Sequence, residues 1–181
     1  RGIGVNAMVA EKMTNIEWLG QQLRAKTANY EPSVGGGSLE PLTWEDRCGA
    51  IASIDDQATK AYCEILVWGD YRDNTMAYNI LHHHLAATLY QALAKDVQRI
   101  RFDLKSFALK VAKMALFLSL RDMGNFKSED KLRFFGITEM KMRTYREHYA
   151  YLENMVEIML SDMRDEIDFY ADIYRKNLRK A

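Results

Sequence analysis

The sequence predicts an all-α protein: a helical bundle that includes a helix-turn-helix-like element and a long C-terminal helix. No stretch of useful length alternates apolar and polar residues with a period of two, the pattern of a half-buried strand. The 181 residues include only 2 prolines, so long helices can run uninterrupted. From Thr138 onward, apolar residues recur every three or four positions without glycine or proline, as on one face of a long helix.

We divide the chain into two parts. Residues 1–42 comprise an N-terminal tail, a helix and a glycine-rich linker, and residues 43–181 form the helical domain. Within that domain, the helix-turn-helix-like element spans residues 128–149 or thereabouts. The linker is predicted from the segment "YEPSVGGGSLEP", in which prolines and a glycine triplet interrupt the helical pattern. A phosphate-binding role for the triplet is disfavoured, because no GK[ST] follows it.

Capping signals predict where the first helices begin. Thr14 and Glu17 form a capping box for a helix that extends to about Asn29. Thr43 begins the next helix. Ser53 begins a third one, which Gly69 ends. One face of this third helix carries Ile54, Ala58, Ala61, Ile65 and Trp68. Trp68 and Trp44 are expected in the core or in an interface.

Two further helices precede the helix-turn-helix-like element. The stretch "TMAYNILHHHLAATLYQAL" predicts the first of them, with these residues on its inner side: Met76, Ile80, Leu81, His84, Thr88 and Leu89. A strongly apolar helix follows, from Asp103 or Leu104 to Met123, and Gly124 with Asn125 ends it.

The charges of this neutral chain are unevenly distributed. Residues 95–149 hold 13 basic and 7 acidic side chains, a net charge of +6, whereas residues 1–94 carry −4 and residues 150–181 carry −2. A basic middle segment indicates an anionic partner. A solvated, lysine-rich helix face explains the same charges equally well.

Cysteine usage and hydropathy bear on the cellular compartment. Cys48 and Cys63 are far apart and belong to no CxxC pair, which argues against a zinc ribbon and a disulfide scaffold. No apolar run is long enough to cross a membrane, because Lys113 and Arg121 flank the most apolar stretch. No secretory signal is visible. We therefore expect a cytoplasmic protein.

No residue pattern indicates an enzyme, a cofactor or a metal site. The histidines of residues 82–84 are consecutive, and consecutive helical residues point about 100° apart, so they cannot converge on one ion. The carboxylate pairs Asp55–Asp56 and Asp165–Glu166 fit helix starts and polar faces better than acid–base catalysis. No serine lies in a nucleophile-elbow context. We expect no catalysis.

The stretch "KLRFFGITEMKMRTYREHY" predicts a helix-turn-helix-like element. Ser128 to Phe135 forms its short first helix, and Gly136 can adopt the left-handed conformation that ends such a helix. Ile137 is then a buried turn residue, and Thr138 caps the second helix. A helix-turn-helix usually has a small residue where this chain has Leu132. A simple corner between two core helices is therefore the alternative.

The second helix of this element has one face suited to DNA. Met142, Tyr145 and Tyr149 are expected to pack inward. The outward residues have the chemistry that reads bases and phosphates, with arginine suited to guanine and lysine to phosphate. The predicted DNA-binding residues are Lys141, Arg143, Thr144 and Arg146, and Glu147 shares their face.

The apolar seam of the C-terminal helix raises a question about oligomeric state. It comprises Tyr145, Tyr149, Leu152, Val156, Met159, Met163, Ile167, Tyr170, Tyr174 and Leu178. The pattern fits one long helix or two nearly collinear ones. Pairing two seams in a homodimer would bury both. Alternatively, the helices of residues 53–122 cover the seam within one chain.

The order of these elements resembles that of the late antitermination proteins of lambdoid phages. The resemblance covers about residues 100–160, where "FALKVAKMALFLSL" precedes "FFGITEMKMRTYREHYAYLENMVEIML". It implies binding near a phage late promoter and contact with the host RNA polymerase, with Gly136, Ile137 and Thr138 as the matching turn positions. Some of those proteins carry a cysteine-rich zinc loop, which this chain lacks.

Two other functional classes remain open. A phage packaging protein of the small terminase type also combines a helix-turn-helix with long oligomerising helices. A helical protein-interaction adaptor would have no nucleic-acid role. Rings of many subunits in solution would favour the packaging protein. If DNA binding that depends on salt were absent, the adaptor would be the remaining class.

Overall fold

The computed structural model describes residues 15–19, 49–69, 75–95, 101–121 and 130–178. These residues are helical with short connections and include no strand, which confirms the all-α fold class. Residues 15–19 and 49–52 are helical. The helices with complete bounds are α1 (Gln57–Trp68), α2 (Met76–Lys95), α3 (Leu104–Leu120), α4 (Lys131–Phe134), α5 (Met142–His148) and α6 (Tyr151–Leu178). The predicted Thr14 and Thr43 caps and the glycine-rich linker lie outside the described residues.

Helix α1 begins at a different cap from the predicted one. The carboxylate of Asp56 accepts a 2.7 Å hydrogen bond from the backbone N–H of Thr59, so Asp56 is the N-cap. Ser53 instead closes the preceding helical turn by donating a hydrogen bond to the Ala50 carbonyl. The predicted end is confirmed, because Gly69 has a φ of 65° and its N–H donates to the Ile65 carbonyl.

The buried face of α2 differs from the predicted one. Its core residues are Tyr78, Leu81, Leu85, Ala86, Leu89 and Leu93. Of the predicted set, Met76, Ile80 and His84 are exposed, and Met76 is 80% exposed. Apolar residues surround most of this helix, so its own periodicity does not select one face. Trp68 at the end of α1 is 50% exposed and therefore does not belong to the core.

Helix α3 packs against α2 and α6. Asp103 caps it as predicted, because its carboxylate accepts hydrogen bonds from the N–H groups of Lys105 and Ser106. The helix ends at Leu120, three residues before the predicted end, and Arg121 is its C-cap. Gly124 and Asn125 lie outside the described residues. Helix α2 packs against both α1 and α3.

The apolar seam is covered within one chain. Helix α6 packs across α1, α2 and α3, and its buried residues are Leu152, Val156, Leu160, Met163, Ile167 and Ala171. The seam is split between two helices, because α5 ends at His148 and α6 begins at Tyr151. The exposed stripe that suggested a homodimer therefore does not exist on this face.

Residues 15–19 join the same core as the later helices. Trp18 and Leu19 are buried, and the guanidinium of Arg175 lies 4.8 Å from the Trp18 ring centroid. Arg175 also donates a 2.7 Å hydrogen bond to the Asn15 side chain. Among the described helices, none combines the length and apolar content that a membrane crossing requires.

Candidate nucleic-acid interface

The turn after α4 is a Schellman motif. Gly136 has a φ of 71° and ends the helix in the left-handed conformation. The N–H of Ile137 donates to the Leu132 carbonyl at 2.8 Å, and the N–H of Gly136 donates to the Arg133 carbonyl at 3.0 Å. Ile137 and Leu132 are both buried, which supplies the hydrophobic contact of this motif. Gly136 therefore adopts a left-handed conformation and Ile137 is buried; the DNA-binding role of the turn stays a prediction.

The helices around this turn are shorter than predicted. Helix α4 has 4 residues and begins at Lys131 after Asp130. Helix α5 has 7 residues and begins at Met142 after an extended Lys141, so Thr138 is not its cap. The Thr138 N–H instead donates to the neighbouring Glu139 carboxylate at 2.8 Å. We call the segment of residues 130–150 the helical corner, because these lengths are below those of a full helix-turn-helix.

An ion pair with α3 holds the turn in place. Lys110 Nζ lies 2.6 Å from Glu139 Oε1. Partial burial disfavours the charged carboxylate, but hydrogen bonds from Lys110 and from the backbone N–H groups of Glu139 and Thr138 outweigh it, so the pKa of Glu139 is lowered. One carboxylate of Glu139 thus binds both Lys110 of α3 and the backbone N–H of Thr138.

A partly buried carboxylate joins the corner to α6. Glu153 accepts a 2.9 Å hydrogen bond from the hydroxyl of Tyr145, which is 1% exposed. Lys131 Nζ lies 2.7 Å and 2.9 Å from the two oxygens of the same carboxylate. Burial and the neighbouring Glu153 raise the pKa of the Tyr145 phenol, so it stays a protonated donor. One carboxylate thus connects α4, α5 and α6.

The inner face of α5 is the predicted one. Tyr145 is fully buried, and Met142 and Tyr149 are half-buried against the core. The Tyr149 ring meets Phe107 of α3 edge-on, with centroids 5.2 Å apart. These contacts fix the rotation of the helix about its axis. They determine which of its side chains face water.

The four predicted DNA-binding residues are all accessible to solvent: Lys141, Arg143, Thr144 and Arg146. Arg143 Nε lies 2.9 Å from Glu147 Oε1, and both side chains are largely in water. An exposed pair of this kind is weak, so it leaves Arg143 able to exchange its partner for another anion.

An aromatic cluster that includes α4 was not predicted from the sequence. Phe134 is 71% exposed. Its ring meets Phe135 edge-on at 4.9 Å and lies 6.3 Å from the Phe117 ring. The sequence did contain a signal, because two adjacent phenylalanines on one helical turn point about 100° apart and cannot both face the core.

The histidines and carboxylate pairs make structural contacts. His82 Nε2 lies 2.7 Å from the Leu109 carbonyl oxygen, and His83 Nδ1 lies 2.7 Å from the Asn79 carbonyl oxygen. Thr59 donates a 3.0 Å hydrogen bond to Glu166. Among the described residues, no group of three or more histidine, cysteine or acidic side chains is arranged to hold a metal ion.

The interface geometry therefore consists of a short helix with a basic outer side, a buried inner side and an aromatic neighbour. No protein-family model matches the sequence, and neither the curated proteins nor the solved structures include a significant match to it.

Proposed function

We propose that the protein is a DNA-binding transcription regulator that contacts duplex DNA through the exposed side of α5. The observation that carries the proposal is that Lys141, Arg143, Thr144 and Arg146 are all exposed, whereas Tyr145 among them is buried. The side chain of Tyr145 on the opposite face is buried and hydrogen-bonded. A basic surface on a fixed support is the arrangement that phosphate contact requires.

The size of α5 limits the contact to a few base steps. Its 7 residues span about 10 Å, which corresponds to about three steps of duplex DNA. We expect phosphate neutralisation to supply most of the affinity. Arg146, an exposed arginine of α5, is the candidate base reader. The net charge of +6 over residues 95–149 supports association with a polyanion.

The regulatory role within this proposal comes from the resemblance to late antitermination proteins. A regulator of that type would bind near a phage late promoter and contact host RNA polymerase. The fixed α4–α5 corner would face DNA, and other surfaces would be available for the polymerase.

A protein-interaction adaptor is the second candidate, and the outer face of α6 favours it. Ile158 and Phe169 are 61% and 62% exposed, and Ile173 is 41% exposed. Their spacing places them on one side of the helix, away from the buried seam. A homodimer through α6 would have to use this outer face.

Duplex binding as a function of salt tests the proposal. Fluorescence anisotropy with a labelled duplex should give an affinity that falls steeply between low and physiological salt, because bound phosphates release counterions. Lys141→Ala should weaken binding to all DNA sequences equally. It should also reduce the slope of log binding constant against log salt concentration by about one unit. Arg146→Ala should cost about 1–3 kcal/mol and relax sequence preference.

Lys176→Ala is the matched control. It removes the same charge from an exposed position near the end of α6, where Lys176 pairs with Asp172. Equal losses of affinity in Lys141→Ala and Lys176→Ala would mean that only net charge matters. No binding at low salt would refute the DNA role and leave the adaptor.

A further inference from the structure

The outer side of helix α2 carries a regular stripe of residues. Their spacing alternates between four and three positions, which is the spacing of a coiled-coil seam. We call this stripe the α2 outer seam, and it comprises Met76, Ile80, His83, Ala87, Tyr90 and Ala94. Ala94 is half-buried and the other five are exposed. The opposite side of the same helix is buried against α1 and α3, so the seam is a second packing face.

The α2 outer seam and the positions beside it lack formal charge. No aspartate, glutamate, lysine or arginine occurs from residue 76 to residue 94, in a chain of which 28% is charged. DNA or a charged protein surface would find no counter-charge on this side of the helix. A surface that covers the seam must itself be largely uncharged, and a second copy of the seam meets this requirement.

The outer side of α6 is a second exposed apolar surface, but self-pairing is disfavoured there. Asp162 and Asp165 are exposed, and their spacing places them between Ile158 and Phe169 on the same side of the helix. Two copies of that side in antiparallel contact would bring four carboxylates together, and like charges in contact oppose association. Charge therefore favours α2 over α6 as a contact between copies.

A groove on the α2 outer seam has the residue spacing of a coiled-coil hole. Its lining residues occupy positions i, i+3, i+4 and i+7 and are Met76, Asn79, Ile80 and His83. In a coiled coil, four residues of one helix form the hole that receives one side chain of the facing helix. The groove is therefore suited to a side chain from a second helix.

An antiparallel pair of seams would place a tyrosine in each groove. The facing residues would be Met76 with Ala94, Ile80 with Tyr90, and His83 with Ala87. Tyr90 of the second copy would then lie at the level of Ile80, inside the groove. Two of the three facing pairs join a large side chain to an alanine, which fills space without overlap. In a parallel pair each alanine would face an alanine and leave a gap.

We infer that two copies of the chain pair through the α2 outer seam as an antiparallel dimer, with Tyr90 of each copy in the groove of the other. The seam is complementary to itself in both charge and size, which is what a two-fold interface requires. The inference goes beyond the proposed function and does not depend on DNA binding.

Sedimentation of the full chain at micromolar concentration, without DNA, tests the inference. The wild type should sediment as two chains. Tyr90→Ala should raise the dissociation constant of the dimer at least about 10-fold, because two central tyrosine contacts are lost. Ala87→Glu should sediment as a single chain, because it introduces two carboxylates close to the two-fold axis. Ala87 is exposed, so circular dichroism should show that this variant remains folded.

Phe169→Ala is the matched control for Tyr90→Ala. It removes an exposed aromatic ring from the outer side of α6, and the wild-type dimer should persist. Wild-type sedimentation as a single chain would overturn the inference and favour a helix of another protein as the occupant. A dimer that persists in Ala87→Glu, or that Phe169→Ala weakens as much as Tyr90→Ala does, would also overturn it.

Oxidative cross-linking tests the direction of the two helices. The double variant Met76→Cys/Ala94→Cys should form a covalent dimer, because the antiparallel pair places these two positions opposite each other. Each single variant should cross-link no more than the wild type, which gives the baseline for Cys48 and Cys63. Efficient cross-linking of each single variant with itself would indicate parallel helices and overturn the inferred arrangement.

Discussion

The hydroxyl of Tyr145 donates a 2.9 Å hydrogen bond to Glu153, and the same carboxylate binds Lys131 at 2.7 Å. This carboxylate is the polar link between the helical corner and α6. Its loss would leave a buried donor and a largely buried ammonium group without their partner. The orientation of the exposed side of α5 thus depends on a contact that lies beneath it.

Truncation of Tyr145 should therefore destabilise the fold. We expect Tyr145→Ala to lower the free energy of unfolding by about 3–5 kcal/mol, as for other large buried aromatic residues. Tyr145→Phe keeps the ring and should cost only about 1–2 kcal/mol through the lost hydrogen bond. Urea unfolding monitored by circular dichroism measures both. Equal costs for the two variants would show that the ring contributes nothing beyond its hydroxyl.

Substitution of Gly136 should change the free energy of unfolding through backbone conformation alone, without a steric clash. A Cβ atom at this position meets nothing within 4 Å, but the φ of 71° is unfavourable for L-residues. We expect Gly136→Ala to cost about 1–2 kcal/mol. Asparagine tolerates the left-handed region better, so Gly136→Asn should cost less. The same urea titrations apply, and an alanine variant as stable as wild type would contradict the Schellman assignment.

Gly49 should be sensitive to added volume rather than to backbone conformation. A Cβ atom there would collide with the hydroxyl and ring of Tyr174 on α6. We expect Gly49→Ala to cost about 1–3 kcal/mol, as overpacking usually does. In a Tyr174→Ala background the same substitution should cost at least about 1 kcal/mol less. Additive effects in this double-mutant cycle would mean that the two residues do not touch.

The Asp56 cap should make stability fall in acid. The Thr59 backbone N–H lowers the pKa of Asp56 below the usual value of an aspartate, although burial opposes it. Because the folded-state pKa lies below the unfolded-state pKa, the unfolded chain takes up the proton first. The stabilisation by Asp56 is fully present above the pKa that Asp56 has in the unfolded chain. It is lost as the pH falls through the lower pKa that Asp56 has in the folded protein.

Asp56→Asn tests this linkage, because asparagine caps as well as aspartate but does not titrate. Stability at pH 7 should change little, and the decline between about pH 5 and pH 3 should become shallower than in wild type. Thermal melts across this range measure it. An identical acid decline in both proteins would assign the pH dependence to other carboxylates.

The sequence allowed the helices and several of their ends to be predicted for local reasons. Asp103 and Gly69 are residues whose own chemistry favours a helix start and a helix end, so neighbouring positions sufficed. The left-handed Gly136 was predictable for the same reason. The exposed basic side of α5 followed from the spacing of Tyr145 and Tyr149 on the opposite side.

The features that were predicted wrongly depend on distant residues. Helix α5 begins after Lys141 rather than at Thr138, and the intervening Glu139 binds Lys110 at a separation of 29 residues. The buried face of α2 is chosen by α1 and α3, because apolar residues surround most of that helix. For the adjacent Phe134 and Phe135 the local pattern indicates only that one ring must leave the core, and the packing against Phe117 of α3 decides which one.

The hydrogen bond between Arg175 and Asn15 joins residues 160 positions apart. During synthesis, Trp18 and Leu19 therefore leave the ribosome long before α6 exists to cover them. At synthesis rates of 5–20 residues per second, that interval is on the order of ten seconds. Closing so long a loop costs little more than closing a short one, because the entropy grows only logarithmically with length. The separation in sequence therefore delays the docking of residues 15–19 in time but adds little to its free-energy cost. We expect these residues to dock among the last parts of the chain.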